Sequence, residues 1–150
     1  MDQLTRRRFL AAAGAVAAAP VLDARAGQGG GSQNAISVEK DVVFGKGGAM
    51  DLRCDLFRPR PGSEKRLAAI LIHGGGFGGG SKETLTERAR PYAEQGHLAI
   101  AAQYRLTGQA AWPAMIEDVK TAIRWTRANA SSLGVDPTRI SIVGYSAGGF

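Results

Sequence analysis

Three short and almost uninterrupted apolar runs constrain the fold of this chain more than any other feature. They are LAAILIH (67–73), HLAIAAQYRL (97–106) and RISIVG (139–144). Such runs are typical of strands that are covered on both faces. The segments between them carry apolar residues at helical spacing, and strands that alternate with helices pair in parallel through right-handed crossovers. The sequence therefore predicts an α/β fold built on a parallel sheet of buried strands.

Two earlier segments alternate apolar and charged residues and predict an antiparallel hairpin at the edge of this sheet. They are SVEKDVVFG (37–45) and DLRCDLFRP (51–59), joined by a glycine-containing link, and we expect one face of the hairpin to be wetter. Cys54 falls on the buried face, where a packed thiol is expected. Helices are predicted over 82–96 and from Pro113 to about Gly134.

The first 26 residues are typical of an export signal. A basic triplet (6–8) precedes an apolar run of about 14 residues, and Ala24-Arg25-Ala26 is a cleavage site of the small-x-small kind. The run is too short for a stable membrane anchor, which needs roughly 20 residues. Residues 5–10 resemble a twin-arginine signal, which implies the twin-arginine (Tat) export machinery as a partner and a periplasmic or secreted bacterial protein. The Gly/Ser/Gln-rich segment 27–36 is predicted to be a flexible linker.

The charge pattern argues against a nucleic-acid partner. The chain has 19 Lys and Arg against 13 Asp and Glu, and removal of residues 1–26 leaves a net charge of +4. Basic and acidic residues are interleaved, as on ordinary solvated faces. A single cysteine excludes an internal disulfide, and no Cys/His cluster has the spacing of a metal site, so we expect no metal.

The last apolar run leads into GYSAG (144–148), which fits the pattern G-x-S-x-G. In that pattern the serine sits on a sharp turn between a strand and a helix, and glycines on both sides avoid collisions. The N–H groups at the start of the helix favour a developing negative charge. Ser146 is therefore a candidate nucleophile, although a serine here could also be a simple helix cap.

A second glycine-rich stretch, HGGGFGGGSKE (73–83), follows the first apolar run. Bare backbone after one strand and a serine turn after another could together form an oxyanion hole. A nucleotide site is the rival, because Gly74, Gly76 and Gly79 fit G-x-G-x-x-G. The acidic residue such a site needs is absent from the end of the next strand, and Gly80-Ser81-Lys82 reverses the P-loop order. A loose surface loop remains open for 78–80.

The chain resembles the α/β-hydrolase superfamily, in particular the hormone-sensitive-lipase-like esterases and the bifunctional feruloyl and acetyl-xylan esterases. The matching segments are HGGGF (73–77), QYRL (103–106), WPA (112–114), EDVK (117–120), IRW (123–125), GVDP (134–137) and GYSAGG (144–149). Phe77 stands where relatives often carry Trp. The resemblance implies hydrolysis of small-molecule or polysaccharide-linked esters without cofactor or metal. It also implies a role for each of several residues. Ser146 would be the nucleophile, Gly75, Gly76 and Ala147 the oxyanion donors, and His73 and Gly74 the residues that orient the loop.

Residues 37–150 would then be the N-terminal part of an α/β-hydrolase domain. In this fold an Asp or Glu and then a His follow the nucleophile, and neither is present after Ser146. His73 belongs to the glycine stretch and His97 begins a strand at the opposite end of the sheet, so we expect neither to be the base. We expect a longer gene product, with an Asp or Glu and then a His beyond Phe150. The alternatives are a non-catalytic binding protein or remnant, and an amide hydrolase such as an arylformamidase or peptidase.

Overall fold

The computed structural model describes residues 35–150 of the chain, which form one five-stranded sheet with helices. The strands are β1 (Ser37–Gly47), β2 (Met50–Arg58), β3 (Ala68–Ile72), β4 (Leu98–Ala102) and β5 (Ile140–Gly144). They lie in the order β1-β2-β4-β3-β5. The predicted export signal (1–26) and most of the predicted linker lie outside the described residues, whereas Ile36 packs against the core.

The strand directions confirm the predicted α/β fold with an antiparallel edge. β1 and β2 form an antiparallel hairpin, and β2 pairs antiparallel with β4. β3 pairs in parallel with β4 on one side and with β5 on the other. In this register Ile72 lies opposite both Ala102 and Gly144, so the carboxyl ends of these three strands lie next to one another. The segments that follow β3, β4 and β5 are therefore neighbours.

Helices cover both faces of the sheet. The helices are α1 (Thr86–Glu94), α2 (Ala114–Ala128) and the short α3 (Ala130–Leu133), with 3₁₀ turns at Lys82–Leu85 and Ser146–Gly149. Successive residues of β3 alternate between two apolar clusters, because side chains of a strand point to opposite faces. The cluster on one face contains the predicted apolar side of α2, and the other contains Leu85, Ala89 and Ala93, as the sequence predicts. The predicted second helix is interrupted at Asn129.

The structure shows two departures from the predicted burial. β5 has the apolar pattern of a strand buried on both faces, yet its residues are half-buried or exposed and Ile142 is 49% exposed. No other described strand pairs with its outer side, as expected for the N-terminal part of a longer domain. The hairpin was expected to have one wetter face, and β1 is largely exposed, but β2 is buried on both faces from Cys54 to Phe57, because α1 and the 3₁₀ turn beside it cover the second face.

None of the helices in the described part of the chain is both long and apolar enough to span a membrane.

Candidate active site

The turn that follows β5 places Ser146 in a strained backbone conformation. We call residues 144–149 the Ser146 turn. Ser146 has a φ of +52°, which non-glycine residues rarely adopt, and its side chain is exposed. The Tyr145 N–H donates to the carbonyl of Ile72 at 3.1 Å, which ties the turn to the end of β3. This geometry is the sharp strand-to-helix turn that G-x-S-x-G predicts.

The two flanking glycines of the Ser146 turn are required by close backbone contacts. A Cβ added at Gly144 would lie 2.5 Å from the carbonyl carbon of Gly148. A Cβ added at Gly148 would lie 2.5 Å from the carbonyl oxygen of Ile72 and 2.7 Å from that of His73. A side chain at Gly144 would force the turn open, and one at Gly148 would push the turn away from the end of β3.

The glycine-rich loop (73–81) is folded back on itself and not loose. The Gly79 N–H donates to the Gly75 carbonyl at 3.0 Å, and the Thr107 N–H donates to the Phe77 carbonyl at 2.9 Å. A Cβ added at Gly80 would collide with the Gly74 carbonyl oxygen and lie 2.6 Å from His73 Nδ1. The second half of the loop therefore packs against the first, which contradicts the reading of 78–80 as a loose surface segment.

The glycine-rich loop and the Ser146 turn lie side by side. A Cβ added at Gly74 would lie 3.0 Å from the Ser146 Cβ and 2.8 Å from the Tyr145 carbonyl oxygen. The backbone N–H groups of Gly75, Gly76 and Ala147 make no hydrogen bond to another residue of 35–150. Space is open beside Gly76, where an added Cβ would meet nothing within 4 Å. Donors without partners next to an exposed serine are the elements of an oxyanion site.

His73 is a buried part of the loop's support. Its ring stacks on Tyr104 with centroids 4.3 Å apart, and Nδ1 lies 2.8 Å from the Gly74 carbonyl oxygen. Because a carbonyl only accepts, Nδ1 carries the proton, and burial lowers the pKa of His73 below its usual value. The Tyr104 hydroxyl donates to the His73 carbonyl at 3.0 Å. A neutral ring held in this way orients the loop.

Neither histidine of the described residues is placed to take a proton from Ser146. His73 makes its side-chain hydrogen bond to Gly74, and Ser146 Oγ makes none to another residue of 35–150. His97 directly precedes β4, at the edge of the sheet opposite to Ser146. Its pKa is lowered by burial and by the nearby Lys65 and Arg139. The described residues thus bring together an exposed serine and unpaired backbone N–H groups but place no histidine beside them.

Sequence reasoning missed a buried ionic cluster beside the loop. Lys82, directly after the loop, is buried and contacts Asp55 of β2, Asp41 of β1 and its neighbour Glu83. The signal for it was Asp55 itself, a carboxylate between Cys54, Leu56 and Phe57 in a strand with apolar residues on both sides. A buried carboxylate requires a partner, which the sequence pattern alone did not name.

Two further arginines support the segments around the site. Arg105 donates to both carboxylate oxygens of the buried Asp118, at 2.7 and 2.8 Å, and so ties the segment after β4 to α2. The guanidinium carbon of Arg88 lies 4.2 Å from the centre of the Tyr145 ring, within the range of a cation–π contact. Both contacts hold segments that border the glycine-rich loop or the Ser146 turn.

Other reactive chemistry is not assembled in the described part of the chain. Residues 35–150 contain no group of three His, Cys, Asp or Glu side chains that could hold a metal ion. Cys54 is buried, and burial raises the pKa of its thiol to about 12, so it stays protonated and unreactive at neutral pH.

Several known proteins with similar sequences are esterases or lipases. The family model BD-FAE matches residues 54–150. The chain is 34% identical to carboxylesterase NlhH of Mycobacterium tuberculosis over 115 residues, which cover 76% of this chain and 36% of the relative. It is 31% identical to lipase 2 of Moraxella sp. over 150 residues, covering 96% of this chain and 34% of that protein.

Solved structures with the same arrangement include esterases as well. The native structure of esterase Est2 from Thermogutta terrifontis superposes with a TM-score of 0.68 at 32% identity, covering 79% of this chain and 42% of that one. An esterase of Pyrobaculum calidifontis superposes with a TM-score of 0.67 at 38% identity, covering 75% and 36%. The chain thus spans less than half the length of these proteins. With its sheet, its Ser146 turn and its matched residues 54–150, the chain belongs to the BD-FAE family of α/β-hydrolases.

Proposed function

We propose that the protein containing this chain hydrolyses carboxylic esters with Ser146 as its nucleophile. The observation that carries the proposal is the contact between the two loops, where Gly74 lies against Ser146 and Tyr145. The free N–H groups of Gly75, Gly76 and Ala147 are next to it in the chain and serve as oxyanion donors. The esterase relatives support the reaction class.

The proposed reaction begins with attack of Ser146 Oγ on the ester carbonyl carbon. The carbonyl oxygen becomes an oxyanion, which the backbone N–H groups stabilise, and collapse of this intermediate expels the alcohol and leaves an acyl-serine. Water then releases the acid. A His oriented by an Asp or Glu would take and return the proton, and we propose that residues beyond Phe150 supply both, since His73 and His97 are not placed to do so.

The substrates that we propose are esters with a short acyl group, on a small alcohol or on a polysaccharide. Two of the Est2 structures that resemble this chain are described as propionate-bound and butyrate-bound. These bound acids support a short acyl part, and the membership of the BD-FAE family supports an acetyl or feruloyl ester as an alternative acyl group. Aryl acetates, butyrates and ferulates compared at equal concentration would rank these choices.

The test is ester hydrolysis by the complete product of the reading frame that contains this chain. We expect Ser146→Ala to lower kcat at least about 1,000-fold, because loss of a serine nucleophile removes the covalent pathway. Ser131→Ala, at an exposed serine of α3, is the matched control and should leave kcat unchanged. Turnover that survives in Ser146→Ala would place the nucleophile elsewhere.

We also propose export through the Tat machinery to the periplasm or beyond, on the strength of the twin-arginine pattern in residues 5–10. Cell fractionation would test it. Replacing Arg6 and Arg7 by Lys should retain the protein in the cytoplasm, and unchanged export would contradict the assignment.

A further inference from the structure

The residue that follows the glycine-rich loop is a buried lysine with three carboxylate partners. Lys82 is only 5% exposed. Its Nζ lies 2.8 Å from Asp55 Oδ1, 3.0 Å from Asp41 Oδ1 and 2.7 Å from Glu83 Oε1. These four residues, the Lys82 cluster, connect the end of the loop to both strands of the hairpin. The ammonium group thus has a partner for each of its three hydrogens.

Both strands of the hairpin contribute contacts to the Lys82 cluster. Asp55 is buried on β2, and its Oδ1 also accepts the backbone N–H of Asp41 at 2.9 Å. The register of β1 against β2 shifts between Glu39 and Val42, and Asp41 within that shift has a φ of +58°. A bulge of this kind redirects a residue out of the regular ladder. Here it brings both the N–H and the carboxylate of Asp41 onto the Lys82–Asp55 pair.

The cluster holds the end of the loop whose beginning is held by His73. Gly80, two residues before Lys82, packs against His73 and the Gly74 carbonyl. Gly79 donates its N–H to Gly75. The two halves of the loop therefore contact each other. β3 and Tyr104 hold one end of the loop, and the Lys82 cluster holds the other. Through these contacts of Gly79 and Gly80, a shift of Lys82 would move the backbone of Gly74 and Gly75.

We propose that Lys82 is a positioning residue for ester hydrolysis: its buried ion pair with Asp55 fixes the end of the glycine-rich loop and thereby the oxyanion N–H groups of Gly75 and Gly76. The inference rests on the proposed function of that loop. Stability alone does not explain the cluster, since replacement of a buried ion pair by apolar residues is often neutral or stabilising. Geometry does, because an oxyanion donor is effective only within a narrow range of positions.

The test compares the buried pair with an exposed pair of the same chemistry. Lys46 pairs with Asp51 at the tip of the same hairpin, and its side chain is 67% exposed. The variants are Lys82→Met combined with Asp55→Leu, which removes both charges together, and Lys46→Met as the control. Each is made in the complete gene product. The readouts are the unfolding temperature, kcat and KM for one aryl ester, and hydrogen exchange of the amides in 74–80.

We expect the double variant to fold, with kcat lowered by about 100-fold and KM changed less than about threefold, because a displacement near 1 Å costs about that much in rate. Exchange of the 74–80 amides should be faster, and Lys46→Met should match the parent protein in every readout. If the double variant does not fold, Lys82→Gln keeps one donor to Asp55 and should lower kcat by about tenfold.

Parental kcat and parental exchange in either folded Lys82 variant would overturn the proposal and leave the cluster a purely structural feature. The exchange measurement separates this outcome from failure of the proposed function. If the parent protein shows no turnover that depends on Ser146, the proposed function fails. In that case unchanged exchange in 74–80 would still show that Lys82 does not hold the loop.

Discussion

The glycine-rich loop and the Ser146 turn follow neighbouring parallel strands but are held in different ways. Buried side chains hold the loop at both ends, with His73 stacked on Tyr104 at one end and Lys82 paired with Asp55 at the other. The Ser146 turn is held by backbone contacts to β3, and the strand that leads into it has Ile142 half exposed. One part of the site is enclosed, and the other is open to its surroundings.

The difference separates two parts of the proposed reaction. Oxyanion stabilisation would need only backbone donors in fixed positions, and the side chains that hold the glycine-rich loop lie within 35–150. Activation of the serine would need a proton acceptor, and the described residues place none beside Ser146. In the proposed function, the oxyanion loop is thus determined within the described residues, whereas the reactivity of Ser146 depends on further groups.

The largest effect on activity is expected when a side chain is introduced into the enclosed glycine-rich loop. Gly75 has a φ of +121°, and an added Cβ would collide with the Gly79 carbonyl oxygen. We expect Gly75→Ala in the complete gene product to lower kcat by about 100-fold or more, because the loop must open to relieve the contact. The measurement is steady-state ester hydrolysis by the folded variant.

Gly62→Ala is the matched control for Gly75→Ala. Gly62 also has a positive φ, +83°, but an added Cβ there would meet nothing within 4 Å. Its replacement should cost about 1–2 kcal/mol of stability from the strained backbone alone, with no loss of kcat. Equal kcat values for the two variants would show that the close packing of the loop does not matter for activity.

The exposed strand β5 predicts that the 150-residue chain associates with itself when it is made on its own. β5 offers Ser141, Ile142 and Val143 at an unpaired edge, whereas β1, at the other edge, carries the charged Glu39, Lys40 and Asp41. Uncharged edges invite pairing with another chain, and charged edges resist it. Ile142→Lys should shift the chain toward monomer in sedimentation velocity, and Val43→Lys on β1 should not. A monomeric parent chain would contradict this reading of β5.

The smallest expected effect is a pH dependence of the Lys82 cluster. The hydrogen bond from Lys82 lowers the pKa of the exposed Glu83 from 4.5 to about 2. Burial lowers the pKa of Lys82, but its hydrogen bonds to Asp55, Glu83 and Asp41 outweigh burial and raise it above 10.5. A carboxylate whose pKa is lowered by folding stabilises the fold at any pH above its pKa in the unfolded chain. This contribution is lost as the pH falls toward the pKa in the folded protein.

Hydrogen exchange in 74–80 should therefore be insensitive to this cluster between about pH 5 and 10, after correction for intrinsic rates, and the added protection should decline below about pH 4. Glu83→Gln should remove part of that decline and change little at pH 7, since Glu83 is largely exposed and screened by solvent. A parental decline in Glu83→Gln would assign the acid effect to another group.

The sequence predicted the strands of the sheet from local pattern. Almost uninterrupted apolar runs were enough for β3 and β4, because both are buried on both faces and local pattern follows burial. β5 has the same apolar pattern, but no other described strand pairs with its outer side, so its residues are half-buried or exposed within 35–150.

In the candidate site, the sequence predicted features that depend on a short motif, but it did not predict the side-chain cluster around Lys82. The strained Ser146 turn and the glycines at 144 and 148 follow from a motif within five residues, so the sequence predicted them. The Lys82 cluster joins residues 41, 55 and 82, and its formation depends on a register shift in β1 that periodicity did not indicate. The sequence predicted the approach of the glycine-rich loop to the Ser146 turn from the order of the strands, but it did not predict this side-chain pairing between distant segments.

The most direct test of the account is to locate the serine that reacts. The complete gene product would be treated with an organophosphate ester such as paraoxon, and the modified peptide identified by mass spectrometry. An adduct on Ser146, with loss of ester hydrolysis in proportion to labelling, is the predicted result. An adduct on another residue, or full hydrolysis by protein whose Ser146 is labelled, would contradict the central claim that this turn carries the nucleophile.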